Sequence, residues 1–150
     1  MTATGHAVIG TVIAAKIGNP ALAIPIALGS HILADMFPHW DLGINRDKKS
    51  RNRFIAEAVI DVVSGLIVTF LLVSIFFPST DLIYAFAVVF AAQFFDWAGA
   101  PYLFLGVKNP PIFYWIYKFQ KQFDRGEDTL FGKVGQAAAV AFLVIIATLI

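Results

Sequence analysis

From Phe54 to Phe77 the chain carries only two charged residues, Glu57 and Asp61, in an otherwise apolar run. A helix needs about 20 apolar residues to cross the hydrocarbon core of a bilayer, so this run predicts a spanning helix. Composition extends the argument to the whole chain. Of its 150 residues 59% are hydrophobic and 14% charged, against roughly 25% charged in soluble domains. A chain of this length cannot hide so much apolar surface in one aqueous core. The expected fold is all-α: a multi-pass membrane bundle of five hydrophobic helices plus a short interfacial helix, forming one integral-membrane domain over residues 1–150.

Four further apolar segments flank that run: Thr4 to Gly18, Ala21 to Phe37, Leu82 to about Val107, and Val134 to Ile150. The first two are short for a full crossing and read as tilted helices in thin or protein-lined surroundings. The first is not read as a signal peptide, because no Lys or Arg precedes it, Lys16 follows it, and apolar spans continue along the chain. Pro78 to Asp81 stops the third segment and caps the fourth, which Gly99-Ala100-Pro101 is expected to kink. After Pro110-Pro111, Ile112, Ile116, Phe119 and Phe123 recur at helical spacing beside Tyr114, Trp115 and Tyr117. This pattern fits an in-plane interfacial helix, or an aromatic belt with no further role.

Ten of the eleven basic residues fall between segments two and three or between four and five. Five alternating helices put both connections on one side, which the positive-inside rule makes cytoplasmic. The expectation is a bacterial or archaeal cytoplasmic (inner) membrane protein with its N-terminus inside and C-terminus outside. A net charge of +1 gives no basic field for nucleic acid. The absence of Cys leaves only His, carboxylate and amide groups as metal ligands. Small residues such as Ala87, Ala91, Ala137 and Ala141 permit close helix packing within the chain or in a homo-oligomer.

Ionisable residues in membrane segments mark functional sites by default. Here segment two carries His31 and Asp35 at i and i+4, with His39 and Asp41 just past Pro38. Segment three carries Glu57 and Asp61 at i and i+4, segment four carries Gln93 and Asp96, and His6 opens segment one. All lie toward the expected cytoplasmic half. His6, His31, Asp35, His39, Asp61 and Asp96 are the expected metal ligands, with Asp35 or Asp61 able to bridge a pair of ions. Asp41 and Gln93 support them, and Glu57 and Asp61 are the expected catalytic carboxylates. Two readings stay open beside these: Asp41 as a turn cap, and Glu57 as an ion-pair partner of Arg51 or Arg53. Nitrogen and oxygen donors without sulfur suit Zn first, then Mn or Fe, as one or two ions.

Gly5-His6, followed by Gly29-Ser30-His31-x-x-x-Asp35-x-x-Pro38-His39-x-Asp41 at the end of segment two, resembles the small bacterial inner-membrane metal-dependent hydrolases of the YdjM-like type. The likeness covers the first two segments and, more loosely, the multi-pass layout, and it implies a metal site. The spacing is also similar to the zinc-dependent phospholipase C group, where a His-x-x-x-Asp helix and a His-x-x-x-Glu helix surround a zinc cluster. The second helix here reads Glu57-x-x-x-Asp61, and the missing histidine implies a mono- or dinuclear site.

The expected function is hydrolysis of a lipid phosphoester by metal-activated water, with Glu57 as general base and Arg46, Arg51 and Arg53 holding the phosphate. The partners are then membrane lipid or a small-molecule ester. One alternative is an ion- or proton-coupled transporter, against which the outer half offers only Lys16, Thr69 and Ser74 as polar residues. The other is a noncatalytic protein stapled by metal that recruits a partner.

Overall fold

A computed structural model describes residues 1–150 and is all-α, with no strands. Seven helices follow one another: α1 (Ala3–Lys16), α2 (Pro20–Asp35), α3 (Arg51–Phe76), α4 (Leu82–Ala92), α5 (Phe94–Leu105), α6 (Ile112–Gln120) and α7 (Leu130–Leu149), with a short 3-10 turn at Arg46–Lys48. Side-chain caps start most of them. The side chains of Thr2, Asn19, Ser50, Asp81 and Thr129 each accept a backbone N–H in the first turn of α1, α2, α3, α4 and α7, satisfying donors that a helix start leaves free. Pro20 adds a preset φ at the start of α2.

The expected count of five spans is corrected by helix length. Only α3 and α7 are long and apolar enough to cross a membrane, or three spans if the bent pair α4–α5 counts as one. The 14 residues of α1 and 16 of α2 reach only about 21–24 Å at 1.5 Å per residue, short of the ~30 Å core. The expected kink at Gly99-Ala100-Pro101 also lies elsewhere. Pro101 sits inside α5, and the 55° bend falls between α4 and α5, at Gln93.

Short α1 is the hub. It packs against α2, α3, α4 and α7, and glycines let it come close. A Cβ on Gly10 would stand 3.0 Å from both the Val89 Cα and the Ala92 Cβ, and one on Gly65 would stand 3.0 Å from the Ala7 Cβ. The core between these helices is made of small side chains: Ala14, Ala23, Ala27, Ala85, Ala91 and Ala92 with Val73 and Val88. Thr11 and Thr69 meet there, hydroxyl to hydroxyl, at 3.0 Å.

Polarity is distributed the opposite way from a soluble protein. His6, His31, His39, Gln93 and Asp35 are among the largest fully buried side chains, while Ile83 is 81% and Leu149 79% exposed. An apolar exterior around a polar interior is the arrangement that lipid as solvent favours. α6 lies against α5 through Tyr102, Tyr114 and Tyr117. It turns Ile112 of the expected apolar stripe and Trp115 outward, while Phe119 of that stripe packs against Phe95 and Phe123.

Candidate metal site

His6 from α1, His31 and Asp35 from α2, and Asp96 from α5 converge at one end of the bundle. His39 and Asp41, just beyond α2, join them there. His6 stacks on His31 with ring centroids 3.9 Å apart and planes 8° from parallel. The bend at Gln93 aims α5 so that Asp96 lies 3.8 Å from His31 Nε2. Gln93 is buried and its amide donates to the Ala3 carbonyl at 2.8 Å, tying the bend to the start of α1.

The imidazoles are oriented from behind. His31 Nδ1 lies 2.7 Å from the Ala92 carbonyl and His39 Nδ1 lies 2.8 Å from the Phe37 carbonyl. A carbonyl can only accept, so each Nδ1 carries a proton and each Nε2 is the ring atom turned into the site, the orientation metal-binding histidines adopt. Those Nε2 atoms face carboxylates. His31 Nε2 is 3.3 Å from Asp35 Oδ2, His6 Nε2 is 3.2 Å from Asp35 Oδ1, and His39 Nε2 is 3.9 Å from the same Oδ1. The α-amino group of Met1 also contacts Asp35 Oδ1.

Two groups could each hold a metal ion: His6, His31 and Asp96, and His39, Asp41 and Asp124, each with ligand atoms within 4.8 Å of one another. Both nitrogens of His6 and Nε2 of His39 are buried without a hydrogen-bond partner, a costly state for polar atoms. In the second group His39 Nε2 lies 3.2 Å from Asp124 Oδ1 and 3.5 Å from Asp41 Oδ2. Burial opposes a charged His39, but these two carboxylates outweigh it and push its pKa up to about 9. Burial likewise opposes ionised Asp124, yet His39 and Lys121 hold its carboxyl below the usual range.

Asp124 is the residue that sequence reasoning missed. It sits in a charged stretch that reads as a solvated loop. Backbone pairing brings it in: Arg125 N–H donates to the Asp35 carbonyl at 2.9 Å and Glu127 N–H to the His39 carbonyl at 2.7 Å. Gln120 was likewise unforeseen. Its amide donates to Asp96 at 2.7 Å and lies 3.1 Å from His31 Nε2. No pattern in the sequence announces either long-range contact.

Other expected site residues have further partners of their own. Asp61 takes up the N-terminus of α1, accepting from Ala3 N–H at 2.8 Å, Thr4 N–H at 3.1 Å and the Thr4 hydroxyl at 2.7 Å. Both its oxygens are thereby committed to a helix start, so the expected ligand and bridge at Asp61 give way to a capping role; of the two candidate bridges, Asp35 faces the histidines. Glu57 pairs with Lys49 at 2.7 Å and Arg53 at 2.8 Å, away from the histidines, so the expected general base is an ion-pair partner, with Arg53 and not Arg51. Asp41 combines both of its readings: Oδ1 caps the Gly43 and Ile44 N–H groups while Oδ2 faces His39.

The site opens into a cavity of about 670 Å³ between α3 and α5. Asp35, Asp41, Asp61, Asp96 and Asp124 are its acidic lining; Ile55, Val59 and Val62 of α3 face Trp97, Leu103 and Phe104 of α5 along its apolar walls. Arg46 borders both this cavity and a neighbouring one of about 380 Å³ that Lys49 and Arg51 share. Arg46 donates to the Leu103 carbonyl and Arg51 to that of Phe104. Arg53, 67% exposed and paired with Glu57, lines neither.

Fold and site together define a class: an all-α protein with two or three helices able to cross a membrane and two buried His/Asp groups able to hold a metal ion. No family model, curated protein or solved structure matches the chain.

Proposed function

We propose that this protein is a membrane-embedded, metal-dependent hydrolase that cleaves a lipid phosphoester in the cytoplasmic half of the bilayer of a bacterial or archaeal cell. One observation carries the reading: the carboxylates that face the buried, oriented imidazoles line the polar end of an apolar cleft between two helices. Such a cleft suits a substrate with an apolar chain and an anionic head, because the chain replaces lipid along the walls while the head reaches the polar end.

A divalent ion held by these residues, most simply Zn with Mn or Fe as alternatives, supplies Lewis acidity and lowers the pKa of water. The chain's own groups do the rest. The carbonyls of Ala92 and Phe37 fix the Nε2 donors of His31 and His39. Gln120 steadies Asp96, the 38% exposed ligand at the open side of the site. Arg46, at the border of the cleft, offers guanidinium N–H groups to a phosphate, and Arg51 backs it from the adjoining cavity.

The test is turnover by the Zn- or Mn-loaded protein of a phosphoester lipid and of a water-soluble phosphoester. The lipid is expected to be preferred by about tenfold or more in kcat/KM. Equal turnover of both would remove the basis for a lipid substrate. Retained metal with no hydrolysis would mean that the ion only staples short helices, and metal-dependent flux through proteoliposomes would point to transport.

A further inference from the structure

We propose that the two ligand groups form one centre of two divalent cations, with the Asp35 carboxylate bridging them. His6, His31 and Asp96 hold one ion, and His39, Asp41 and Asp124 hold the other. The inference shares with the proposed function only the premise that metal binds here, and it is independent of the reaction catalysed.

The spacing fits. Ligand atoms around a tetrahedral ion at about 2.1 Å stand about 3.4 Å from one another. The observed contacts from His6, His31 and His39 to the four aspartates fall between 3.2 and 3.9 Å. The two groups are nonetheless separate sets of ligand atoms, so a single ion does not reach both. Asp35 faces both, with Oδ2 toward His31 and Oδ1 toward His6 and His39, and it is 2% exposed.

Unmet valence points the same way at both positions. His6, 1% exposed, makes no hydrogen bond at either ring nitrogen although its Nε2 stands 3.2 Å from Asp35, and buried His39 makes none at Nε2 although Asp124 stands 3.2 Å away, so both face carboxylates without hydrogen-bond geometry. One unpartnered imidazole thus belongs to each group. Charge favours bound cations at the site. Asp35, Asp41, Asp96 and Asp124 bring four negative charges together, of which Lys121 on Asp124 and the Met1 amino group on Asp35 meet two. The remaining negative charge attracts a divalent cation while leaving the imidazoles neutral as ligands, and the number of ions rests on the spacing and the two unpartnered imidazoles.

The experiment loads the full-length protein with Mn(II) and measures ions per chain by elemental analysis and spin coupling by electron paramagnetic resonance. The parent is expected to hold two ions per chain with an exchange-coupled signal. His6→Ala and Asp124→Asn should each retain one ion, with the coupling replaced by an isolated-ion spectrum. Asp35→Asn should abolish the coupling. Should His6→Ala fail to fold, Asp96→Asn removes a ligand of the same group from a more exposed position. One ion per chain in the parent, or complete emptying by both single-group variants, would overturn the two-ion centre and leave a one-metal hydrolase standing. A folded parent that takes up no ion would overturn both.

Discussion

His39 concentrates the chemistry of the site in one side chain. Fully buried, it faces two carboxylates, and its backbone-bound Nδ1 leaves Nε2 to take either a proton or a metal. In the metal-free protein the proton takes that place. Its pKa is raised from 6.5 to about 9, so the protonated form is stabilised in the folded state. That contribution is fully present below pH 6.5 and is lost as pH rises through about 9. The chelated protein is therefore expected to melt at progressively lower temperature as pH rises from 6.5 to 9. His39→Gln, which cannot titrate, should flatten this part of the profile. A chelated parent whose melting temperature does not fall over that window would show that His39 is not held by Asp124 and Asp41.

At the level of elements, a short helix has to be started and held where its histidine is useful. Asp61 of α3 does this for α1 by accepting two N–H groups of its first turn, and Gln93 at the α4–α5 bend takes the Ala3 carbonyl. An Asn side chain keeps one of the two acceptor oxygens, enough for part of the cap, but is a poorer metal ligand than a carboxylate. Asp61→Asn is expected to keep its metal, whereas Asp61→Ala should lose about 1 kcal/mol of stability and bind metal more weakly through displacement of His6. Loss of metal from a stable, folded Asp61→Asn would restore Asp61 to the ligand set. Helical spacing placed Asp61 on a face with Glu57. It could not say that this face meets the start of α1 in one case and Lys49 and Arg53 in the other.

For the molecule as a whole, the separation of α3 from α5 decides what reaches the site. The gap is walled by apolar side chains and closed at one end by carboxylates, and Ala58 of α3 and Ala100 of α5 are small residues along it. Ala58→Trp is expected to obstruct a chain-bearing substrate and lower its kcat/KM by about tenfold or more, with metal content unchanged and a water-soluble substrate affected much less. Equal loss on both substrates would mean the cleft does not guide the chain. The all-α class, the apolar exterior and the pairing of His31 with Asp35 are legible along the chain, because hydropathy and i, i+4 spacing are local properties of a helix. His39 lies past the end of α2, so its place beside Asp35 comes from the turn through Pro38 and the pairing with residues 125–127 and not from helical spacing. The folded chain adds that the α4–α5 bend falls at Gln93, and that Asp124 and Gln120 join a site whose two ligand groups include neither Asp61 nor Glu57. Each of these depends on which helix face meets which, and on backbone pairing between residues 35–39 and 125–127, contacts that no spacing along one segment encodes.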